Sequence, residues 1–329
     1  MKFLSFLISR LGKAVFVVLG VVVLNFFLIR MAPGDPAAIM AGEAASSDPA
    51  YVEQLRQQFG FDRPVYEQLW IYLKGVLHLD LGYSYRNRLP VLDLILERLP
   101  ATLLLMGCAF VFSIVIGVLL GVLASRSRYT SRHKWLDSTI MSAALLLYAT
   151  PLFWLSLLMI ILFSVTLGWL PAFGMESVSA NLTGWARATD IASHLVLPVI
   201  SLGCFFMAVY ARLTRAAMLE VMGMDFIKTA RAKGVPAGDV IRKHVLRNAL
   251  LPVVTFAGIQ LGQMAGGAVL TETVFAWPGI GRLMFDALLQ RDYQLLLGVF
   301  LVTATMVVIF NLITDLIYRF IDPRIEFGT

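Results

Sequence analysis

Residues 101–124 read Ala-Thr-Leu-Leu-Leu-Met-Gly-Cys-Ala-Phe-Val-Phe-Ser-Ile-Val-Ile-Gly-Val-Leu-Leu-Gly-Val-Leu-Ala, without one charged side chain. A helix rises about 1.5 Å per residue, so about 20 apolar residues cross the hydrocarbon core of a bilayer, which is about 30 Å thick. The strands of a membrane barrel alternate apolar and polar residues over about ten positions, and this stretch does not alternate. It therefore predicts a transmembrane α-helix.

Five more stretches lack charged residues in the same way, namely 14–29, 138–175, 195–211, 249–271 and 293–314. The chain of 329 residues is 59% hydrophobic and 15% charged, whereas soluble domains carry about 25% charged residues. Since the stretch 138–175 is too long for one crossing and is interrupted at Pro151, we expect one span over about 138–163 and an interfacial continuation. The sequence predicts an all-α membrane protein with six transmembrane helices.

The distribution of Lys and Arg predicts which side of the membrane each loop faces. Positively charged residues concentrate in cytoplasmic loops. The short loops determine the orientation of the chain, because long loops are translocated regardless of their charge. Seventeen Lys and Arg lie on the side of the two termini and ten on the other, six of those ten within one long loop. We therefore expect both termini in the cytoplasm. The same bias explains the pI of about 9.4, so we expect no nucleic-acid partner.

The predicted spans divide the chain into three parts. Residues 1–30 would form the N-terminal cytoplasmic end and the first transmembrane helix, 31–100 an extracytoplasmic loop region, and 101–329 a core with helices 2 to 6. Within the loop region, a short helix is expected over 48–59, and 66–77 places apolar residues at helical spacing. We expect these two short helices to form a small extracytoplasmic cap on the surface of the lipid bilayer.

The predicted spans contain almost no group that could drive transport or catalysis. The sequence has no phosphate-binding loop and no hydrolase or metalloprotease motif, and Cys108 and Cys204 lie in separate spans away from any His. Ion-coupled transporters need carboxylates or histidines at membrane depth, whereas Asp137 and Asp315 lie about one turn from a cytoplasmic end. We expect no enzyme activity, cofactor or metal on this chain. Asn25, in the first span, would line a path or form an interhelical hydrogen bond.

The predicted cytoplasmic loop 212–248 carries the clearest local pattern. Asp225 is placed to cap the start of a short helix, and Gly234 followed by Pro236 ends it. This helix would have one basic and one apolar face, carrying Lys228 with Arg231 and Phe226 with Ala230 respectively. A second helix, with Val240, Ile241, Val245 and Leu246 apolar, would start at Asp239. The residues alone fit insertion into a partner's groove and a solvated basic loop equally well.

The loop resembles the coupling loop of the bacterial dipeptide/oligopeptide/nickel ABC-importer permeases. The similar strings are Arg212-Leu-Thr-Arg-Ala-Ala-Met-Leu-Glu-Val, Asp225-Phe-Ile-Lys-Thr-Ala-Arg-Ala-Lys-Gly and His244-Val-Leu-Arg-Asn-Ala-Leu-Leu-Pro252-Val. The resemblance continues, in the same order, through Arg30–Pro36, Asp80-Leu-Gly82, Leu270–Arg282, Arg291-Asp-Tyr293 and Asp322-Pro-Arg324. It covers essentially the whole chain. Where the wider class begins this loop with Glu-Ala-Ala, this chain has Lys228-Thr229-Ala230, so the role of that Glu is not carried over.

The resemblance implies a type I ABC-importer permease fold in the bacterial inner membrane. It implies a second homologous permease subunit, two ATP-binding subunits that hold ATP and Mg²⁺, and an extracytoplasmic substrate-binding protein. The implied substrates are di- or oligopeptides, with a nickel chelate or another peptide-like solute as the alternative within the family and an ion-driven secondary transporter as the alternative class. The expected contact with the ATPase comprises Asp225, Phe226, Ala230, Arg231, Ala232, Lys233 and Gly234.

Two further groups are candidates for the path. Gly258, Gly262 and Gly266, four apart, form a small-residue face in the fifth span that suits helix packing, pore lining or both; Gly117 and Gly121 repeat this pattern in the second span. After the fifth span, Glu272, Trp277, Pro278 and Gly279 are candidates for the external mouth, with interfacial anchoring by Trp277 as the alternative.

Overall fold

Each of the six predicted spans falls in a helix or a pair of helices of the computed structural model, which describes residues 2–31, 37, 48–58, 60, 62–84, 86–129, 134–178 and 181–321. The helices are α1 (Lys2–Met31), α2 (Pro49–Gln58), α3 (Val65–Leu77), α4 (Val91–Tyr129), α5 (Lys134–Ala149), α6 (Leu152–Met159), α7 (Gly184–Met222), α8 (Asp225–Ala232), α9 (Ala237–Asp239), α10 (Leu246–Val274), α11 (Ile280–Leu289) and α12 (Tyr293–Ile321). Wider π-helical turns extend α6 over Ile160–Thr166 and join α9 to α10 over Val240–Val245. A two-stranded antiparallel sheet pairs β1 (Tyr83–Ser84) with β2 (Leu89–Pro90).

Within the described residues, five helices are long and apolar enough to cross a membrane: Ile8–Leu28, Val91–Ser127, Gly184–Met222, Ala237–Val274 and Tyr293–Thr314. The remaining predicted span is broken. Trp135–Ala149 and Leu152–Thr166 meet at an angle of 105°, so the expected span over about 138–163 is interrupted by a bend. Pro151 has no N–H to donate and disfavours helical geometry at Thr150, which is sufficient to end α5 there.

The contacts divide the chain into two units, Met1–Pro100 with Arg282–Val308 and Ala101–Gly281 with Ile309–Thr329. In the first unit, α3 packs against the end of α1. The rings of Phe26 and Tyr72 stack with centroids 5.9 Å apart, and the Arg30 guanidinium lies 3.6 Å from the Phe26 ring centre. Burial raises the pKa of Tyr72 to about 12. The two helices expected over 48–59 and 66–77 correspond to α2 and α3, Phe59 lying outside the described residues.

The start of α12 is tied to the β-hairpin in the same unit. Asp292 caps α12, because its Oδ1 accepts a hydrogen bond from the Leu295 amide at 3.1 Å. Its other carboxylate oxygen accepts a hydrogen bond from the Ser84 hydroxyl at 2.5 Å. One buried acid therefore fixes both a helix start and a strand that lies more than 200 positions away in sequence.

In the second unit, α4 and α7 approach backbone to backbone. A Cβ added at Gly117 would lie 2.8 Å from the Met207 carbonyl oxygen, and one at Gly121 would lie 2.7 Å from that of Ala211. Gly203, on the opposite helix, leaves room for the Phe112 ring. The small-residue pattern noted at Gly117 and Gly121 thus marks a true helix–helix contact.

Candidate coupling site

The chain between α7 and α10 forms a helical hairpin that carries α8. At the end of α8, the Val235 amide donates to the Ala230 carbonyl at 3.2 Å and the Gly234 amide donates to that of Arg231 at 2.8 Å. Gly234 has φ +79°, which a residue without Cβ adopts readily. This is a Schellman ending, and the predicted stop at Gly234 is confirmed.

The start of α8 differs from the prediction by one residue. Met224, in extended geometry, precedes the helix, and no side chain caps it. Asp225 is the first helical residue, and its carboxylate instead accepts a hydrogen bond from Lys228 Nζ at 2.8 Å. A negative charge in the first turn still favours the helix through the partial positive charge of its N-terminus.

The inner face of α8 consists of Ile227 and Ala230, which are 0% and 9% exposed. Both pack in one apolar cluster supplied by the end of α7 and the start of the next helices, namely Ala217, Met218, Val221, Met222, Val240, Val245 and Ala249. Burial of Val240 and Val245 agrees with the predicted apolar face of the second helix, which begins two residues before Asp239, at Ala237. The cluster therefore holds α8 to the membrane-spanning helices.

The outer face of α8 is exposed. Phe226 is 42% exposed, and Lys228 has 70% of its side chain in solvent. Residues 231–234 are exposed as well. Ala230, which the sequence placed with Phe226 on a contact face, is turned inward, so its side chain is not available to a partner. The sequence did not single out Ile227, which is the residue that anchors the helix.

An ion pair between α7 and α5 holds the part of α7 that leads into the hairpin. Arg215, near the end of α7, donates from Nε to Asp137 Oδ1 at 2.5 Å and from its terminal nitrogen to Oδ2 at 2.7 Å. The Asp137 side chain is only 6% exposed and that of Arg215 is 22% exposed. Asp137 therefore has a structural role as the ion-pair partner of Arg215, while the side chain of Asp315 lies outside the described residues. The sequence did not indicate the partner of Asp137.

Three of the four candidates for the external mouth, Glu272, Trp277 and Gly279, are buried, and Pro278 is half-buried. Glu272 and Trp277 are both 0% exposed. Glu272 Oε1 accepts a hydrogen bond from the Thr102 hydroxyl at 2.6 Å, and Trp277 Nε1 donates to the Ala101 carbonyl at 2.9 Å. Gly279 lies so close to the Glu272 carboxylate that a Cβ there would overlap it. The buried ring of Trp277 ties the end of α10 to α4, which contradicts an exposed interfacial anchor. The mouth position of these residues stays a prediction.

The candidates for the translocation path in the first and fifth spans lie in different environments. Asn25 is 9% exposed, and its side-chain nitrogen has no hydrogen-bond partner among the described residues. Gly258 is a close-contact position, because a Cβ there would overlap the Thr314 side chain. An added Cβ at Gly266 meets nothing within 4 Å, and Gly262 is half-buried. Gly258 is therefore a packing position, whereas Gly266 makes no such contact among the described residues, and pore lining there stays a prediction.

The described residues contain no group of three or more His, Cys, Asp or Glu placed to hold a metal ion. The features present are an exposed short helix, an apolar cluster behind it and a bundle of apolar helices. Residues 113–327 match the family described as "binding-protein-dependent transport system inner membrane component", and residues 3–106 match the family of its N-terminal region. The chain belongs to this family. It is a multi-pass inner membrane protein and a permease subunit of an ABC importer.

Relatives of this permease match it over nearly their whole length. The dipeptide transport system permease protein DppB of Escherichia coli (strain K12) is 42% identical, over 98% of this chain and 99% of that protein. The DppB protein of Alkalihalophilus pseudofirmus is 39% identical, over 98% and 100%. A putative peptide transport system permease protein of Brucella abortus (strain 2308) is 40% identical, over 98% and 99%.

Two solved structures share the fold. A chain of the MetNI methionine ABC transporter in an inward-facing conformation superposes with a TM-score of 0.56 and 22% identity, covering 70% of this chain and 96% of that one. A chain of an amino acid ABC transporter solved with histidines gives a TM-score of 0.52 and 16% identity, covering 69% and 94%. At such identities the likeness concerns the fold, and it agrees with the predicted importer-permease fold.

Proposed function

We propose that this permease is one of two pore-forming subunits of an ATP-driven importer of di- and oligopeptides. The observation that carries the proposal is the identity of 42% with a dipeptide permease over 98% of this chain. The alignment covers 99% of that relative. Import of a nickel chelate or another peptide-like solute is the alternative within the same family.

The proposed complex contains a second homologous permease, two ATP-binding subunits that carry ATP and Mg²⁺, and an extracytoplasmic binding protein. The chain itself supplies the path and a docking element. An exposed α8 above an apolar cluster supports this division, because the helix presents an outer surface while its inner face is fixed to α7 and α10.

The proposed contact with the ATPase is the outer surface of α8 and its ending: Phe226, Arg231, Ala232, Lys233 and Gly234. Reversal of charge in Arg231→Glu should weaken association with the ATPase or uncouple hydrolysis from uptake. Co-purification of the subunits and the ratio of peptide imported to ATP hydrolysed measure the two effects. Unchanged uptake in this variant would remove Arg231 from the contact.

The proposed orientation places both termini and α8 in the cytoplasm and α2, α3 and the β-hairpin outside as the cap. The excess of Lys and Arg on the side of α8 supports it. The boundary after Pro100 between the two units supports a division there, although Arg282–Val308 groups with the first hundred residues. Labelling of single cysteines introduced at Arg86 and Lys228 with an impermeant thiol reagent, applied to intact cells and to inverted vesicles, tests the orientation.

Reconstitution tests the function itself. The four membrane-associated subunits in proteoliposomes, with the binding protein outside, should accumulate labelled dipeptide only when ATP is present inside. An ionophore that collapses ion gradients should leave this uptake intact, since no ion would be coupled to it. The solute that co-purifies with the binding protein identifies the substrate, and a nickel chelate found there would replace the peptide assignment.

A further inference from the structure

The broken third span opens onto a cavity of about 420 Å³ within the second unit. Its walls are the break itself, from Tyr148 to Leu152, together with residues of α7 and α10 that include Phe205 and Gln263. Ligand cavities in proteins commonly have volumes of about 300–1,000 Å³. The cavity is therefore large enough for a small solute.

The cavity draws on three charge-free stretches of the sequence. The break at Thr150-Pro151 lies within the stretch 138–175, Leu202 is at the middle of 195–211, and Gln263 is near the middle of 249–271. One flanking charged residue comes close, because the Arg212 guanidinium lies 5.8 Å from the ring centre of Tyr148, which lines the cavity.

The chemistry of the walls is aromatic with a few uncharged polar groups. The rings of Tyr148 and Phe205 stack with centroids 4.9 Å apart, and Phe205 meets Phe206 edge to face at 5.2 Å. Gln263, which is exposed, provides an amide. The Thr150 hydroxyl donates to the Leu146 carbonyl at 2.7 Å, so its oxygen remains as an acceptor. No residue that lines the cavity carries a carboxylate, an amine, a guanidinium or an imidazole.

A polar or aqueous occupant suits this space better than lipid. Where α5 ends and α6 begins, backbone carbonyl and N–H groups have no intrahelical partners. Non-helical backbone at membrane depth is tolerated where it is buried in protein or lines a water-filled cavity, since acyl chains cannot hydrogen-bond to it. The exposed amide of Gln263 has the same requirement. A peptide can satisfy both the polar groups and the aromatic wall.

We propose that this cavity is a subsite of the translocation path that holds a di- or tripeptide in transit. An apolar or aromatic side chain of the peptide lies against Phe205 and Phe206, and Gln263 and Thr150 hydrogen-bond to its amide groups. The proposal rests on the function proposed above and adds to it a preference by side-chain size within the permease.

Gly267 offers a way to fill the cavity. A Cβ added there would lie 3.1 Å from Leu202 Cδ1 and 3.8 Å from Leu152 Cδ2, so Gly267→Leu places its remaining atoms in the space. Gly107→Leu is the control, because Gly107 is an exposed glycine of α4 whose added Cβ meets nothing within 4 Å. Phe205→Ala enlarges the same cavity. It provides a second test if the complex that carries Gly267→Leu does not assemble.

The experiment compares ATP-driven uptake of Phe-Phe and Gly-Gly by the complete complex in proteoliposomes. We expect Gly267→Leu to lower the Phe-Phe to Gly-Gly uptake ratio about tenfold, Phe205→Ala to change it about threefold or more, and Gly107→Leu to leave it within about twofold of wild type. A ratio that stays at the wild-type value in both cavity variants would overturn the subsite while leaving peptide import standing. A phospholipid retained in the wild-type cavity would also overturn it. Failure of the wild-type complex to import either peptide would overturn the peptide function and the subsite together.

Discussion

Arg215 holds Asp137 through two hydrogen bonds of 2.5 and 2.7 Å, and this pair joins α7 to α5 about two turns before the coupling hairpin begins. A guanidinium that meets a carboxylate through two parallel bonds fixes the relative orientation of both side chains. The side chain of Asp137 is nearly buried, so the pair is a structural joint rather than a surface contact.

Asp137→Asn removes the charge that Arg215 faces while keeping the shape of the side chain. Because it leaves a partly buried guanidinium without its counter-charge, we expect a loss of about 2–3 kcal/mol in stability. Thermal unfolding of the purified complex measures it. Lys243→Gln is the matched control, since it breaks the exposed pair of Lys243 and Asp239, and should cost under about 0.5 kcal/mol. Equal effects of the two variants would contradict the structural role of Asp137.

Ile227 and Phe226 are adjacent residues on different faces of α8, so replacing each with alanine should have a different effect. Ile227→Ala leaves a void in the cluster behind the helix and should cost about 2–4 kcal/mol, with faster proteolysis of the hairpin. Phe226→Ala should leave proteolysis unchanged and reduce co-purification of the ATPase about tenfold, since a lost aromatic anchor costs about 1–2 kcal/mol or more. If Phe226→Ala retained the ATPase fully, the outer face would not be the contact.

Gly234→Ala tests the ending of α8. The backbone there has φ +79° and an added Cβ meets nothing within 4 Å, so the cost is conformational alone, about 1 kcal/mol. Gly234→Asn should cost less, because Asn adopts this geometry more easily than Ala. Gly238→Ala also meets open space but has no positive φ, and it should be neutral or slightly stabilising. Chemical unfolding of the hairpin, followed by exchange of its amides, ranks the three variants.

Thr102→Val tests the buried cluster at the end of α10. The Thr102 hydroxyl donates to Glu272 and accepts from the Ile280 amide at 2.8 Å. Its loss removes two buried hydrogen bonds at once, one of them to a carboxyl group, and should cost about 2–4 kcal/mol. Thr102→Ser retains the hydroxyl and should cost about 1 kcal/mol. A similar unfolding temperature for the two variants would show that the hydroxyl is unimportant.

The length of the apolar stretches predicted the number of spans, because the thickness of the bilayer leaves few alternatives. The end of α8 was predictable for a similar reason, since the conformation at Gly234 and the Pro236 that follows are local. The bend of 105° at Pro151 was not predictable, because proline ends a helix without setting the direction of the next one.

The buried face of α8 and the contacts of Trp277 could not be predicted from the local sequence. An eight-residue helix has two turns, and its sequence offers both Phe226 and Ile227 as buried residues. Only the packing of α7 and α10 decides between them. Trp277 follows a span and precedes a Pro-Gly turn, as an interfacial anchor would, whereas its partner Ala101 is 176 positions away in sequence. Contacts of that range leave no mark on the local pattern.

The glycines between α4 and α7 have a mechanical consequence. With backbone against backbone at Gly117 and Gly121, neither helix can roll or slide without a steric clash, and Ser125 adds a hydrogen bond to the Met218 sulfur at 3.2 Å. From Gly203 to Met222, α7 measures about 30 Å. If it tilts together with α4 as a rigid body by about 10° where α8 begins, its far end moves by about 5 Å. The residue next to that far end is Leu202, which lines the cavity.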